Sequence, residues 1–254
     1  MTAYIGYNNH VKTGTITVTS EATGYEKENA QSWKTSSWWQ AAAAGTVYFN
    51  IDAGSSVSAD SWGIVGHDLS SNSGTIKPQY SATGAWAGEE LDFDTVQTPT
   101  GKETIFRKVT SQSARYWRFE IASTTVASFI ANFYLGVSLS LERGIPAPFA
   151  PANLNRDRKI FNSMSEGGQF LGRAIRHNGS MVKIVQKKIT RTWIDANWTA
   201  LADHVELYPF YFLWDQENYP AETAYCFTNK ISYPVYNDTL NLDFTLDCGA
   251  LYDV

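Results

Sequence analysis

The chain has 254 residues, of which 43% are apolar and 18% charged, and its net charge is −5. That composition excludes a disordered chain, and the scattered lysines and arginines form no dense basic stripe of the kind that tracks phosphates, which argues against nucleic acid. No apolar run approaches the roughly 18 residues of a membrane-spanning helix, so membrane insertion is excluded as well.

The length suits one large or two medium domains. Nine tryptophans lift the aromatic share to 14%, as suits flat sheet faces and surfaces that bind by stacking. The opening MTAYIGYNNH lacks the basic flank and apolar core of a secretory signal. Cys226 and Cys248 are therefore expected to be reduced and buried.

Along the chain, short β-prone runs alternate with turn clusters up to about Gly136. Strands are predicted at Thr15 to Thr19, Val47 to Ala53, Trp62 to Val65, Thr75 to Tyr80, Thr104 to Val109 and Tyr116 to Ile121. Breaks are expected at Gly54-Ser55-Ser56, at Ser70 to Gly74 and at Thr98 to Gly101. This spacing without a strong helix predicts an antiparallel sandwich or jelly roll. The run GIPAPFAP, Gly144 to Pro151, holds three of the eight prolines and predicts a stiff connector. The expected organisation is a jelly-roll domain over 1–143, a connector over 144–152 and a smaller α+β domain over 153–254.

In that second part, Lys159 to Ser163 and Gln169 to His177 read as strands. Asn178-Gly179 is a two-residue hairpin signal, with Ser180 to Lys187 returning. Thr192 to Val205 is the one principal helix, carrying an apolar stripe at Ile194, Trp198, Leu201 and Val205 and an expected cap at Thr192. Three more strands follow, at Phe210 to Trp214, Ala224 to Thr228 and Leu240 to Leu246. The fold class is thus mainly β: a jelly-roll sandwich plus one helix packed on an antiparallel sheet.

The search for catalytic motifs finds little. The histidines His10, His67, His177 and His204 make no metal-binding pattern, and nucleophile elbows and phosphate loops are absent. We expect no enzyme and no cofactor. His67 beside Asp68 reads as a strand-end contact rather than a base. Glu90, Asp92 and Asp94 alternate, which would place them on one strand face as calcium candidates or as a solvated acidic edge. Trp38, Trp39 and Trp86 lie in loop-like sequence. They stack on a sugar, belong to the core or meet a neighbouring subunit. In YPFYFLW, Tyr208 to Trp214, both strand faces are apolar. Tyr211 and Leu213 are covered either by the domain itself or by the next subunit of a ring.

Four pieces in order resemble a discoidin-like (coagulation factor 5/8 C-type, galactose-binding-like) domain. They are AQSWKT from Ala30, the VYFNIDAG…WGIVGH stretch with Asp52, Gly54, Val57, Trp62 and His67, IKPQYSATGAW from Ile76 to Trp86, and ARYWRFEI with Arg115, Tyr116 and Arg118. Ala53 departs from the usual leucine. The resemblance implies two packed sheets and a binding edge on loops, in a family whose members bind glycans, lipids or proteins and several of which carry structural calcium. Residues 153 to 250 resemble a segment of bacteriophage tail and baseplate proteins, through MSEGGQFLGRAIRHNG, the Trp-bearing helix, LYPFYFLWDQENYPAETAYC and the closing strand. This implies a virion protein of the tail, assembled in the host cytoplasm into a ring with itself and other tail or baseplate proteins, its sandwich meeting a neighbour or a host surface glycan. The alternatives are a free-standing lectin and a component of a glycan-degrading enzyme.

Overall fold

A computed structural model describes residues 2–252, apart from the side chains of 176–178. Fourteen strands dominate. They are β1 (Tyr4–Gly6), β2 (Thr15–Val18), β3 (Trp39–Gln40), β4 (Gly45–His67), β5 (Thr75–Ser81), β6 (Leu91–Asp92), β7 (Ile105–Ser123), β8 (Phe129–Gly136), β9 (Leu139–Ser140), β10 (Arg156–Met164), β11 (Phe170–Thr190), β12 (Phe210–Leu213), β13 (Thr223–Tyr236) and β14 (Asn241–Leu251). Among the described residues the α-helices are the single turn α1 (His10–Thr13) and the principal helix α2 (Arg191–Val205), with short 3-10 turns at Lys27–Gln31 and Leu69–Asn72.

The N-terminal unit is one sheet folded over on itself. β4 and β7 are long enough to run through both halves. Their first pairing joins Gly45–Asp52 to Tyr116–Ser123, and after a register shift Val57–Ile64 pairs with Ile105–Ala114. β2, β5 and β6 extend the first half, and β8 with β3 the second. Phe49, Trp117 and Phe119 from one half meet Trp62, Phe133 and Leu135 from the other in one buried cluster. Phe49 and Phe133 stack with ring centroids 4.3 Å apart.

The predicted break at Gly54 to Ser56 is a bulge rather than a strand end. Gly54 takes φ +77°, and its amide donates to Asp52 Oδ1 at 2.8 Å. Arg115 donates to both oxygens of the same carboxylate at 2.7 and 2.8 Å. This fork bridges the two long strands where they bend, and it holds Asp52 at a pKa of about 2, chiefly through the Arg115 hydrogen bonds and then through the Gly54 amide.

The C-terminal sheet has the order β10-β11-β14-β13-β12-β1-β9. Two short strands from before residue 144, β1 and β9, therefore pair into it. One face packs on α2 through Ile194, Leu201 and Val205 against Ile184, Phe244 and Leu246. The helix starts one residue earlier than predicted, and its cap is Thr190, which accepts from the Trp193 amide at 3.3 Å. The proline-rich segment lies against the same core, with Ile145 buried and the Phe149 ring 5.0 Å from that of Trp214.

The opposite face packs on the sandwich. Tyr211, Leu213 and Tyr225 join Val65, Phe106 and Tyr134 in a third cluster. The Tyr211 hydroxyl donates to Asn132 Oδ1 at 2.8 Å and that of Tyr225 to the Trp33 carbonyl at 2.7 Å. Gly63 is needed here, because a Cβ would stand 2.6 Å from the Ile105 carbonyl and 3.1 Å from the Tyr211 ring. The alternation within Tyr208 to Trp214 was read correctly, but the idea that a neighbouring subunit covers Tyr211 and Leu213 is corrected. The chain's own sandwich covers them, leaving 0% and 1% exposed.

Asn178-Gly179 is also no hairpin. β11 runs straight through it, and the reversal into β11 lies at Ser165–Gln169, where Gly168 has φ +76°. Pairing with β10 on one side and β14 on the other keeps the strand extended past the turn-prone dipeptide.

Candidate functional site

The outward face of the first half-sheet is polar, because β4, β7 and β5 alternate about the buried cluster. Asn50, Arg118, Gln79 and Asp92 stand in one cross-strand row. Arg118 lies at its centre, with its guanidinium 4.4 Å from the ring centres of both Tyr48 and Trp86. Its Nε donates to Gln79 Oε1 at 2.8 Å and its Nη2 to Glu90 Oε1 at 3.0 Å. Gln79 Nε2 donates in turn to Asp92 Oδ1 at 2.9 Å, and Lys77 pairs with that carboxylate at 2.8 Å. Beside Arg118 in this row, Asn50 keeps a buried carbonyl oxygen with no hydrogen-bond partner.

Trp86 reaches this row on the loop after β5, which is organised by one carboxylate. Glu89 accepts from the Ser81 hydroxyl at 2.6 Å, the Thr83 hydroxyl at 2.8 Å, the Trp86 amide at 3.1 Å and the Ala87 amide at 2.8 Å. Those donors, the two hydroxyls foremost, hold its pKa far below the ordinary glutamate range. Gly84 lets the loop lie flat: it has φ +74°, and a Cβ there would stand 2.8 Å from the Tyr116 ring. Trp86 itself has φ +53°. A bulky residue in the left-handed region is strained, and such strain persists where the surroundings over-determine it. Here the Glu89 contacts and the Arg118 stack hold a half-buried indole in place on the sheet.

The three tryptophans named from sequence have three different surroundings. Trp39 is a core residue, fully buried with its ring edge-on to Phe49, so the ligand role is corrected: its indole donates to the Ser20 carbonyl and has no open face. Trp38 stacks on Tyr25 at 5.4 Å and leans on Phe129. Trp86 alone joins the polar row.

Glu90, Asp92 and Asp94 do not converge on a calcium ion. Glu90 goes to Arg118 and Asp92 to Lys77 and Gln79, while Asp94 accepts from Trp62 Nε1 at 2.9 Å and from Arg107 Nε at 2.6 Å. Each has its own cationic partner. Among the described residues no group of three carboxylate, histidine or cysteine side chains could hold a metal. His67 is buried with Nε2 at the Glu103 carbonyl, 3.0 Å away. Cys226 and Cys248 are free thiols; burial raises both, Cys248 to about 12. Among the described residues no helix is long and apolar enough to cross a membrane.

The signal for Arg118 lay in plain view as the second arginine of ARYWRFEI, but its partners come from β4, β5 and the Trp86 loop. Only the fold brings them together.

No protein-family model matches this chain, and no curated protein matches it. Among solved structures it is similar to a chitosan-binding module from a Paenibacillus sp. IK-5 chitosanase/glucanase, at 18% identity over 50% of this chain and 98% of that one, with TM-score 0.43. A Clostridium perfringens module, CpGH89CBM32-5, in complex with GalNAc-β-1,3-galactose, is 13% identical over 51% of this chain and 99% of that one, with TM-score 0.43. A Ruminococcus gnavus GH29 fucosidase in complex with fucose is 14% identical over 52% of this chain but only 27% of that one, with TM-score 0.44. Each of these likenesses spans about half of this chain. The fucosidase corrects one expectation: with an enzyme among the structural neighbours, the statement that this chain is no enzyme falls away.

Proposed function

We propose that this protein binds carbohydrate on its N-terminal sandwich, with Trp86 as the stacking platform. The observation that carries the reading is the Trp86 indole, strained at φ +53° and stacked on Arg118 above a row of amide and carboxylate groups. An indole presented this way offers an apolar surface to the C–H face of a sugar ring. Asn50 and Glu90 supply hydrogen-bonding groups beside it. Chitosan and GalNAc-β-1,3-galactose, the sugars of two of the similar modules, make hexosamine-containing glycans the first class to try. The test is a glycan array followed by calorimetry on the best hit. Trp86→Ala should abolish binding while its circular dichroism spectrum stays that of the parent. Unchanged affinity in a folded Trp86→Ala variant would overturn the assignment.

A second reading makes the protein a structural subunit of a bacteriophage tail, assembled in the host cytoplasm into a ring near the distal tail or baseplate. What favours it is the β10–β11 hairpin, whose large apolar side chains are exposed. Co-purification with virions, and labelling of one tail position by a specific antibody, would support this reading. Its absence from virions of a phage that encodes it would exclude it.

A further inference from the structure

The C-terminal sheet carries a feature that neither the sugar platform nor the fold's own cores account for. β14 pairs with β11 only from Ser180 onward, so Phe170–Gly179 of β11 has β10 as its single neighbour. β10 is the outer strand of the sheet, and all nine of its residues are exposed. The two strands therefore form an arm that projects past the end of the sheet. It carries Ile160, Phe161, Met164, Phe170, Leu171 and Ile175, which are between 41% and 64% exposed. A two-stranded ribbon with bare apolar side chains is marginal in water, and an open β edge is a template for further contact.

Charge identifies what the arm fits. From Arg156 to Gly179 five lysines and arginines stand against Asp157 and Glu166, whereas from Arg191 to Val254 ten carboxylates stand against Arg191 and Lys230. The arm is thus at +3 and the chain from Arg191 onward at −8. Exposed members of the acidic set include Asp203, Glu206 and Asp238. A basic, apolar arm and an acidic body on one chain are complementary between copies.

We propose that the β10–β11 arm docks onto the acidic α2 side of a second copy of this chain, around Asp203 and Glu206, giving a head-to-tail assembly. Such a contact uses two different patches. Passed on head to tail it closes as a ring or continues as a filament, whereas a reciprocal exchange of arms stops at a two-fold dimer. This supplies the contact that the second reading above requires, and it does not depend on sugar binding.

The test uses the full chain in analytical ultracentrifugation up to about 100 µM. The parent should form species larger than a dimer that fall apart at about 0.5 M salt, where charge screening acts within about 4 Å. Two variants probe the arm separately: Phe161→Ser with Ile175→Ser, and Arg158→Glu with Lys159→Glu. Both should sediment as monomers with the parent's circular dichroism, and both should keep whatever sugar affinity the parent has. A parent that stays monomeric, or variants that assemble like the parent, would overturn the proposal. So would a monomeric parent that co-sediments with anionic phosphatidylserine vesicles, since the arm's partner would then be lipid. Loss of assembly with no phage virion containing the protein would sustain this contact while removing the tail reading.

Discussion

β12 and the β10–β11 arm are both strands with apolar side chains on both faces, yet they end in opposite environments. In β12, Phe210 and Phe212 enter the helix-backed core while Tyr211 and Leu213 enter the junction with the sandwich. In the arm, the large apolar side chains, Met164, Phe170, Leu171 and Ile175 among them, stay more than half exposed. A doubly apolar strand says that two faces need covering, and it does not say by what. The topology decides: β12 lies mid-sheet between β13 and β1, under a helix and over the sandwich, whereas β10 lies at the edge.

The largest expected effect sharpens this contrast at β12. Changing Tyr211 and Leu213 together to Ser removes two fully buried side chains and leaves Asn132 without the tyrosine hydroxyl. Truncations of this kind cost about 3–5 kcal/mol each, so the double variant should unfold in mild urea or fail to accumulate. A stable variant with an altered oligomeric state would break the account of the junction.

A smaller effect comes from pH. The His204 ring lies among Tyr7, Trp33 and Tyr208, and burial lowers its pKa below the ordinary 6.5, with Lys12 acting in the same direction. His10 is lowered as well, also by burial. For both, the unfolded chain binds the proton more readily than the folded one. Stability is then full above about pH 6.5 and declines as pH falls towards the lowered values. Urea midpoints between pH 7.5 and 5.5 should show this slope, and His204→Gln should flatten it. An unchanged slope in that variant would place the proton uptake elsewhere.

At Trp86 stability and binding should separate. Trp86→Gly relieves a left-handed backbone but loses a stack on Arg118, two terms of about 1 kcal/mol each and opposite sign. The melting curve should barely move while sugar binding disappears. The smallest effect belongs to the arm, where Phe161→Ser should change the monomer's stability by less than about 0.5 kcal/mol. A cost like that at Tyr211 would mean the arm is core.

The sequence made the sandwich legible because alternation, the Asp52–Gly54 turn and the ARYWR strand are local signals. It also located the helix to within a residue and split Tyr208 to Trp214 correctly between its two faces. What escaped was non-local. β8 was missed, although FIANFYLG is buried almost throughout. β1 was missed because three residues carry no periodicity and are fixed only by partners such as Leu213 and Ser140. Asn178-Gly179 misled because turn propensity yields to pairing on both sides. For the site, Trp86 was legible as an aromatic in a loop, whereas Trp39 was indistinguishable from it until its burial was known. The acidic run failed as a calcium site because sequence shows carboxylates and not the arginines and lysines that occupy them.

The pairing of β1 with β12 also sets an order in time. Tyr4–Gly6 leaves the ribosome before its partners at Tyr211–Leu213, which follow some 200 residues later. At about 5–20 residues per second that is a wait of roughly 10–40 s. During the wait the sandwich strands from Thr15 to Gly136 can all emerge and close, while the first strand has neither neighbour until β9 is made and lacks the second until β12 arrives. The junction cluster around Tyr211 and Tyr134 cannot form before then either, so a chain stopped short of residue 210 holds a closed sandwich with one apolar outer face still wet.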